Sequence, residues 1–167
     1  PESATGLGID KDARARLRSR LSDRSQAGQN AIAATLRADL SRLDALDPAA
    51  IPDSRRIDVE VIQAAYRNAL DGFAQPYGDV AVGGWRNTPY VVCQNVGAYL
   101  DIPRFLDSDH AVRSADDAES YIARLESYPH QLDGELGRLR AAAAGGLVAP
   151  DFVIDAALVQ LNQSLAD

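Results

Sequence analysis

Apolar residues recur every third or fourth position over most of this chain, the spacing of helices that bury one face. The clearest run is Ile57, Val61, Ala65, Ala69 and Phe73, and Ile62, Tyr66 and Leu70 widen its stripe. So broad an apolar face predicts a central helix touched on two sides. Ile32, Leu36, Leu40 and Leu43 place another amphipathic helix over 26–46, with Ser25 as its N-cap. Asp47-Pro48 and Ile51-Pro52 separate these two helices, because neither proline fits a helix interior. Gln75-Pro76 ends the longer one.

The flanks follow the same period. The first ten residues, with Gly6 and Gly8, read as an extended lead-in, and Asp10 is placed to cap a short charged helix through Leu21. Further on, Ser114 followed three residues later by Asp117 resembles a capping box. Ala118, Tyr121, Ile122 and Leu125 then form a predicted buried stripe, which Leu132, Leu136, Leu139 and Ala143 continue beyond a restart or kink at Pro129. Gly145-Gly146 stops that run. Pro150 opens a last helix with Val153, Ala157, Leu161 and Leu165 on one face. No repeat and no second domain interrupts the pattern. It predicts a single all-α domain over 1–167, a bundle or array of about six to seven helices.

Residues 76–113 form an irregular, loop-rich exception. Asp79 to Val82 suits a short strand or an extended loop, and Gly83-Gly84 a flexible backbone. Thr88-Pro89 reads as the N-cap and first residue of a short helix carrying Val92 and Val96, weakened by Gly97, and Pro103 opens a further turn with Phe105 and Leu106. The only Trp (Trp85), the only Cys (Cys93) and one of two histidines (His110) lie in this stretch.

Charge and length narrow the possibilities. A chain of 167 residues buries a core without staples, and a net charge of −7 repels nucleic acid. No apolar run reaches eighteen residues, so no membrane-spanning helix is expected. One cysteine forms no internal disulfide. The chain has no methionine and opens on Pro1-Glu2. Either an initiator residue was removed or the chain is cut from something longer.

Candidate chemistry is sparse. Asp107, Asp109 and His110 lie together, but a zinc centre commonly needs a histidine pair at helical spacing, and no such pair exists here. The acidic run reads better as a turn before the helix at Ser114. Ser108-Asp109-His110 is no triad, because triads assemble in space rather than in sequence. Cys93 with His110 is a conceivable nucleophile and base, though a cysteine on a short apolar helix reads better as inert core. Trp85, Arg86, Asn87, Tyr90 and Gln94 remain as a substrate-binding set. Two rings would wall a groove, and the polar groups would hold a carboxylate or a peptide backbone. The same residues also suit gap filling between helices, which the residue types favour.

Three strings carry a family resemblance: Gly78 to Val92 (GDVAVGGWRNTPYVV), Tyr99 to His110 (YLDIPRFLDSDH) and Asp116 to Leu125 (DDAESYIARL). With the G-x-x-x-P-x-F-x-x-D run from Gly146 to Asp155, they make the chain resemble the N-terminal half of bacterial domain-of-unknown-function family 885 (DUF885). The resemblance runs from about Leu17 to the end. Such proteins are longer, often exported, largely helical and similar to gluzincin-type zinc metallopeptidases. Their H-E-x-x-H helix and further glutamate lie downstream of the matched region. The resemblance therefore assigns this chain no catalytic residue, no metal ligand and no cofactor, and expects zinc only in a C-terminal part. Ala111-Val112 stands where the family has Pro-Ile, and Cys93 where a hydroxyl residue is common.

The expected function is that of an N-terminal helical region forming part of a substrate-cleft wall in a metallopeptidase-like hydrolase, inactive alone. Its partners would be the rest of that chain or a self-associating apolar face, with a peptide as substrate. An exported location is favoured over a cytoplasmic one. The alternative is a stand-alone helical binding module.

Overall fold

A computed structural model of the chain describes residues 1–82 and 88–166. The fold is all-α. In chain order it has α1 (Glu2–Gly6), a 3-10 turn (Asp12–Leu17), α2 (Gln26–Asp44), a 3-10 turn (Pro48–Ala50), α3 (Asp53–Phe73), α4 (Ala98–Ser108), α5 (Ala115–Ala144) and α6 (Asp151–Ala166). The described residues hold no strand, only isolated bridges between Asp79 and Thr88 and between Cys93 and Val96. The chain divides into two compact units, one of Pro1–Gln26 with Val92–Asp167 and one of Ala27–Val91.

In the Ala27–Val91 unit, α2 buries Ala33 and Leu36, and α3 buries Ala69. Asp44 at the end of α2 accepts hydrogen bonds from Gln63 (2.7 Å) and Arg67 (2.8 Å) on α3. The broad stripe of α3 is not enclosed on two sides among the described residues, since Ile57, Val61 and Ile62 are exposed. Periodicity marks which side of a helix is apolar, and it is silent on what covers that side. Thr88 caps no helix. Its backbone pairs with Asp79 (2.9 and 3.3 Å), and its hydroxyl accepts from the Tyr90 N–H at 3.2 Å, a local turn. Gly78 takes φ +89° beneath this bridge, where a Cβ would stand 2.6 Å from the Thr88 carbonyl oxygen.

The other unit is built on α4 and α5. Ala98, Ile102, Phe105 and Leu106 of α4 form its apolar core, packed by Leu21, Tyr121 and Tyr128. One helix from Ala98 to Ser108 therefore stands where a short helix begun at Thr88-Pro89 and a separate turn opened by Pro103 were expected. Pro103 lies inside it on the exposed side, so it costs a backbone hydrogen bond without disturbing the buried face. Gly97 leads into α4 at φ +143°, where a Cβ would meet the Tyr99 ring at 2.9 Å. Pro129 neither restarts nor breaks α5, which is continuous over 30 residues. The Ser114 hydroxyl caps α5 by accepting from the Asp117 N–H at 3.2 Å, as its spacing predicts. Gly146, at φ +87°, ends it.

The N-terminal expectation changes most. The lead-in is helical (α1), and the predicted helix over Asp10–Leu21 is only a 3-10 turn. Asp10 caps nothing. Its carboxylate instead accepts from Thr5 (2.9 Å) and Arg18 (3.2 Å). Helices this short are marginal in water, and side chains of α5 take the backbone bonds of the residues that follow.

Candidate functional site

The best-built polar arrangement in the molecule lies along the inward face of α5. Arg124, Gln131, Glu135 and Arg138 are its buried residues, at helical spacing, whereas Ile122, Leu125, Leu132 and Leu136 are exposed. Much of the stripe expected to be buried is thus exposed, although Tyr121 packs on the α4 core, and a polar face expected in water is buried. The polar face holds residues 17–25, the end of the 3-10 turn and the segment after it, as a strap. Arg124 donates to the carbonyls of Leu17 (3.0 Å) and Arg20 (3.0 Å), Gln131 to that of Ser22 (2.6 Å) and Arg138 to that of Arg24 (3.4 Å). Glu135 accepts from the Arg24 guanidinium at 2.8 Å and, with both oxygens, from the Ala98 N–H at 3.0 and 2.9 Å. That carboxylate caps α4 where Gly97 offers no side chain.

The strap's beginning is tied in as well. Glu2 accepts from the Ser22 amide and hydroxyl and from Gln131 (3.0 Å). Burial would raise its carboxyl, but these hydrogen bonds outweigh it and hold it below the ordinary carboxylate value. Asp10 behaves alike, with burial overcome by Thr5 and Arg18.

His110, the tempting catalyst of the sequence, is 3% exposed and committed to this arrangement. Its Nδ1 lies 2.6 Å from an Arg124 nitrogen and its Nε2 3.2 Å from the Asp117 carbonyl oxygen. Arginine only donates, so Nδ1 accepts and Nε2 carries the proton. Burial pushes the imidazole below its ordinary value, and the Arg124 and Arg18 charges push the same way. Arg124 itself is 0% exposed, donates also to Thr5 (2.7 Å) and rests 4.8 Å above the Phe105 ring. With both ring nitrogens engaged, His110 is no base for Cys93. The buried thiol lies 3.6 Å from Asn95, and the Cys93 carbonyl oxygen is 3.0 Å from the Tyr99 hydroxyl.

Of the substrate-binding set, Trp85, Arg86 and Asn87 lie outside the described residues. Tyr90 is half-buried in the Ala27–Val91 unit, and Gln94 belongs to the other. The Gln94 Oε1 is buried without a hydrogen-bond partner among the described residues. A cavity of about 380 Å³ is lined by Glu2, Ser22, Arg24, Asp101, Arg104 and Phe105. Its Arg24 is already paired with Asp101 and Glu135.

A zinc ion does not fit the described residues. No group of three His, Cys, Asp or Glu side chains converges to hold a metal, His110 has no nitrogen to offer, and His130 is exposed on α5.

Sequence reasoning missed the strap and its receptors. The signal was present as Arg124, Gln131, Glu135 and Arg138 at helical spacing, a polar stripe that ordinarily faces water.

A protein-family model described as "Bacterial protein of unknown function (DUF885)" matches residues 1–167. No curated protein matches the chain. Among solved structures, "The crystal structure of the putative lipoprotein from Colwellia psychrerythraea" is similar over 95% of this chain, with a TM-score of 0.76 and 20% identity. The chain spans 27% of the length of that protein. A likeness at this identity shows the fold alone.

Proposed function

Because the chain belongs to the DUF885 family of bacterial proteins, we propose that it is the N-terminal helical domain of a longer, metallopeptidase-like protein. In that reading it forms part of the wall of a peptide-binding cleft, and zinc, general base and remaining ligands come from the polypeptide that follows. The observation that carries the reading is apolar surface on α5 and α6. Ile122, Leu125, Leu132 and Leu136 make one exposed line along α5, and Phe152, Ile154, Leu158, Val159, Leu161 and Leu165 are exposed on α6. Exposed apolar surface on two helices suits a contact with further polypeptide. A protein of which this chain spans 27% has ample further chain to cover it.

Trp85, Arg86, Asn87, Tyr90 and Gln94 are the residues this reading assigns to peptide binding. The Gln94 oxygen, which has no hydrogen-bond partner among the described residues, supports it as an acceptor that a peptide N–H would satisfy. Export is part of the same proposal, and the description of the Colwellia psychrerythraea protein as a lipoprotein supports it.

The test is metal analysis of the 167-residue chain together with its solution behaviour. The expected result is no tightly held zinc, no peptide cleavage, and strong binding of an apolar dye or self-association. One zinc held per chain overturns the proposal. A zinc-free monomer that binds no dye would instead favour a stand-alone helical binding module.

A further inference from the structure

One of the strap's anchors on α5, Arg124, is held by a contact that a single protonation contradicts. Arg124 binds four groups at once: the carbonyls of Leu17 and Arg20, the Thr5 hydroxyl and the His110 Nδ1. The first three belong to the strap and the segment leading into it, and the fourth is the only one that titrates. A protonated imidazole carries N–H on both nitrogens, so Nδ1–H would point at a guanidinium 2.6 Å away, donor against donor and cation against cation.

We propose that residues 1–25 form an acid-releasable latch, keyed by proton uptake at His110. The charged and titratable groups around the imidazole come from several elements. From α5 come Asp117, Arg124 and Tyr121, whose ring meets the imidazole edge-on at 5.4 Å. Arg18 adds positive charge from the strap side, where it is itself bound to Asp10 (3.2 Å) and Asp117 (2.7 Å). From α1 comes Thr5, and from α4 Phe105, whose ring lies against Arg124 and whose carbonyl accepts from the His110 N–H at 3.1 Å.

The direction follows from linkage. An opened or unfolded imidazole binds a proton below about pH 6.5, whereas the latched one resists protonation to lower pH because it is buried beside Arg124. The latch is therefore fully held above about pH 6.5 and weakens as pH falls below it, because the open state binds more protons. Glu2, Asp10 and Asp117 are all held below the ordinary carboxylate range and stay ionised across this window. Their hydrogen bonds therefore do not change with it.

Amide hydrogen exchange on the whole chain between pH 7.5 and 5.0, corrected for intrinsic rates, tests this. The amides of Leu17 to Ser25 should open about tenfold more per pH unit below about 6.5, the limit for one proton. Those of Ile102 to Leu106 in α4 should keep their protection. His110→Asn, whose carbonyl oxygen accepts from Arg124 without titrating, should flatten the strap's profile, and His130→Asn should leave it unchanged. Thr5→Val should loosen the strap at every pH without altering the slope. Strap protection that is independent of pH overturns the proposal. So does a wild-type slope in His110→Asn, or loss of α4 protection in step with the strap.

Discussion

Helices α4 and α5 pack in the same unit and bury opposite kinds of surface. The inward side of α4 is Ala98, Ile102, Phe105 and Leu106, held by burial of apolar area, which tolerates small shifts of position. The inward side of α5 is Arg124, Gln131, Glu135 and Arg138, held by hydrogen bonds that each require a partner at a set distance and direction. Apolar burial fills space, whereas a polar face specifies which segment may lie on it. Here that segment is a stretch of backbone, a row of carbonyls that apolar side chains have no means to recognise.

Three substitutions sharpen or break that contrast. Arg124→Met keeps bulk but orphans the Leu17 and Arg20 carbonyls and the His110 Nδ1, and should cost about 3–5 kcal/mol in urea unfolding. A loss below about 1 kcal/mol would mean that the polar face contributes no more than a solvated one. Ile102→Val in α4 removes one methylene from the apolar core and should cost about 0.5–1.5 kcal/mol by the same measurement. Equal losses in the two variants would erase the distinction between the faces. Leu125→Ser with Leu132→Ser, on the outward side of α5, should change stability by no more than about 0.5 kcal/mol per site while reducing dye binding. A large loss there would place those residues in a core this chain builds by itself.

The periods of α2, α3, α5 and α6 were legible in the sequence, as were the Ser114 cap and the Gly145-Gly146 stop, because each depends on neighbours within one or two turns. The inversion of α5 was not. Arg124 and Ile122 are equally periodic, and partners outside the helix, from His110 to the Arg20 carbonyl 104 residues away, decide which of them faces inward. The short elements at the N-terminus failed for the same reason. Their backbone groups are satisfied by α5, and local propensity carries no record of that. The place of His110 as an acceptor for a buried arginine lay beyond any motif. For the substrate-binding set, Tyr90 and Gln94 are described and Trp85, Arg86 and Asn87 lie outside the described residues, so that expectation stands as part of the proposed cleft.

The strap also has a consequence for how the protein is made. Its bonds to α5 join residues 99 to 114 positions apart. Synthesis at about 5–20 residues per second delivers α5 roughly 5–20 s after the strap has emerged. During that wait the strap offers nascent-chain neighbours mainly arginines and serines, which water satisfies, rather than an apolar segment that would seek the nearest sticky surface. A long-range contact written in polar residues is slow to form but safe to leave unformed.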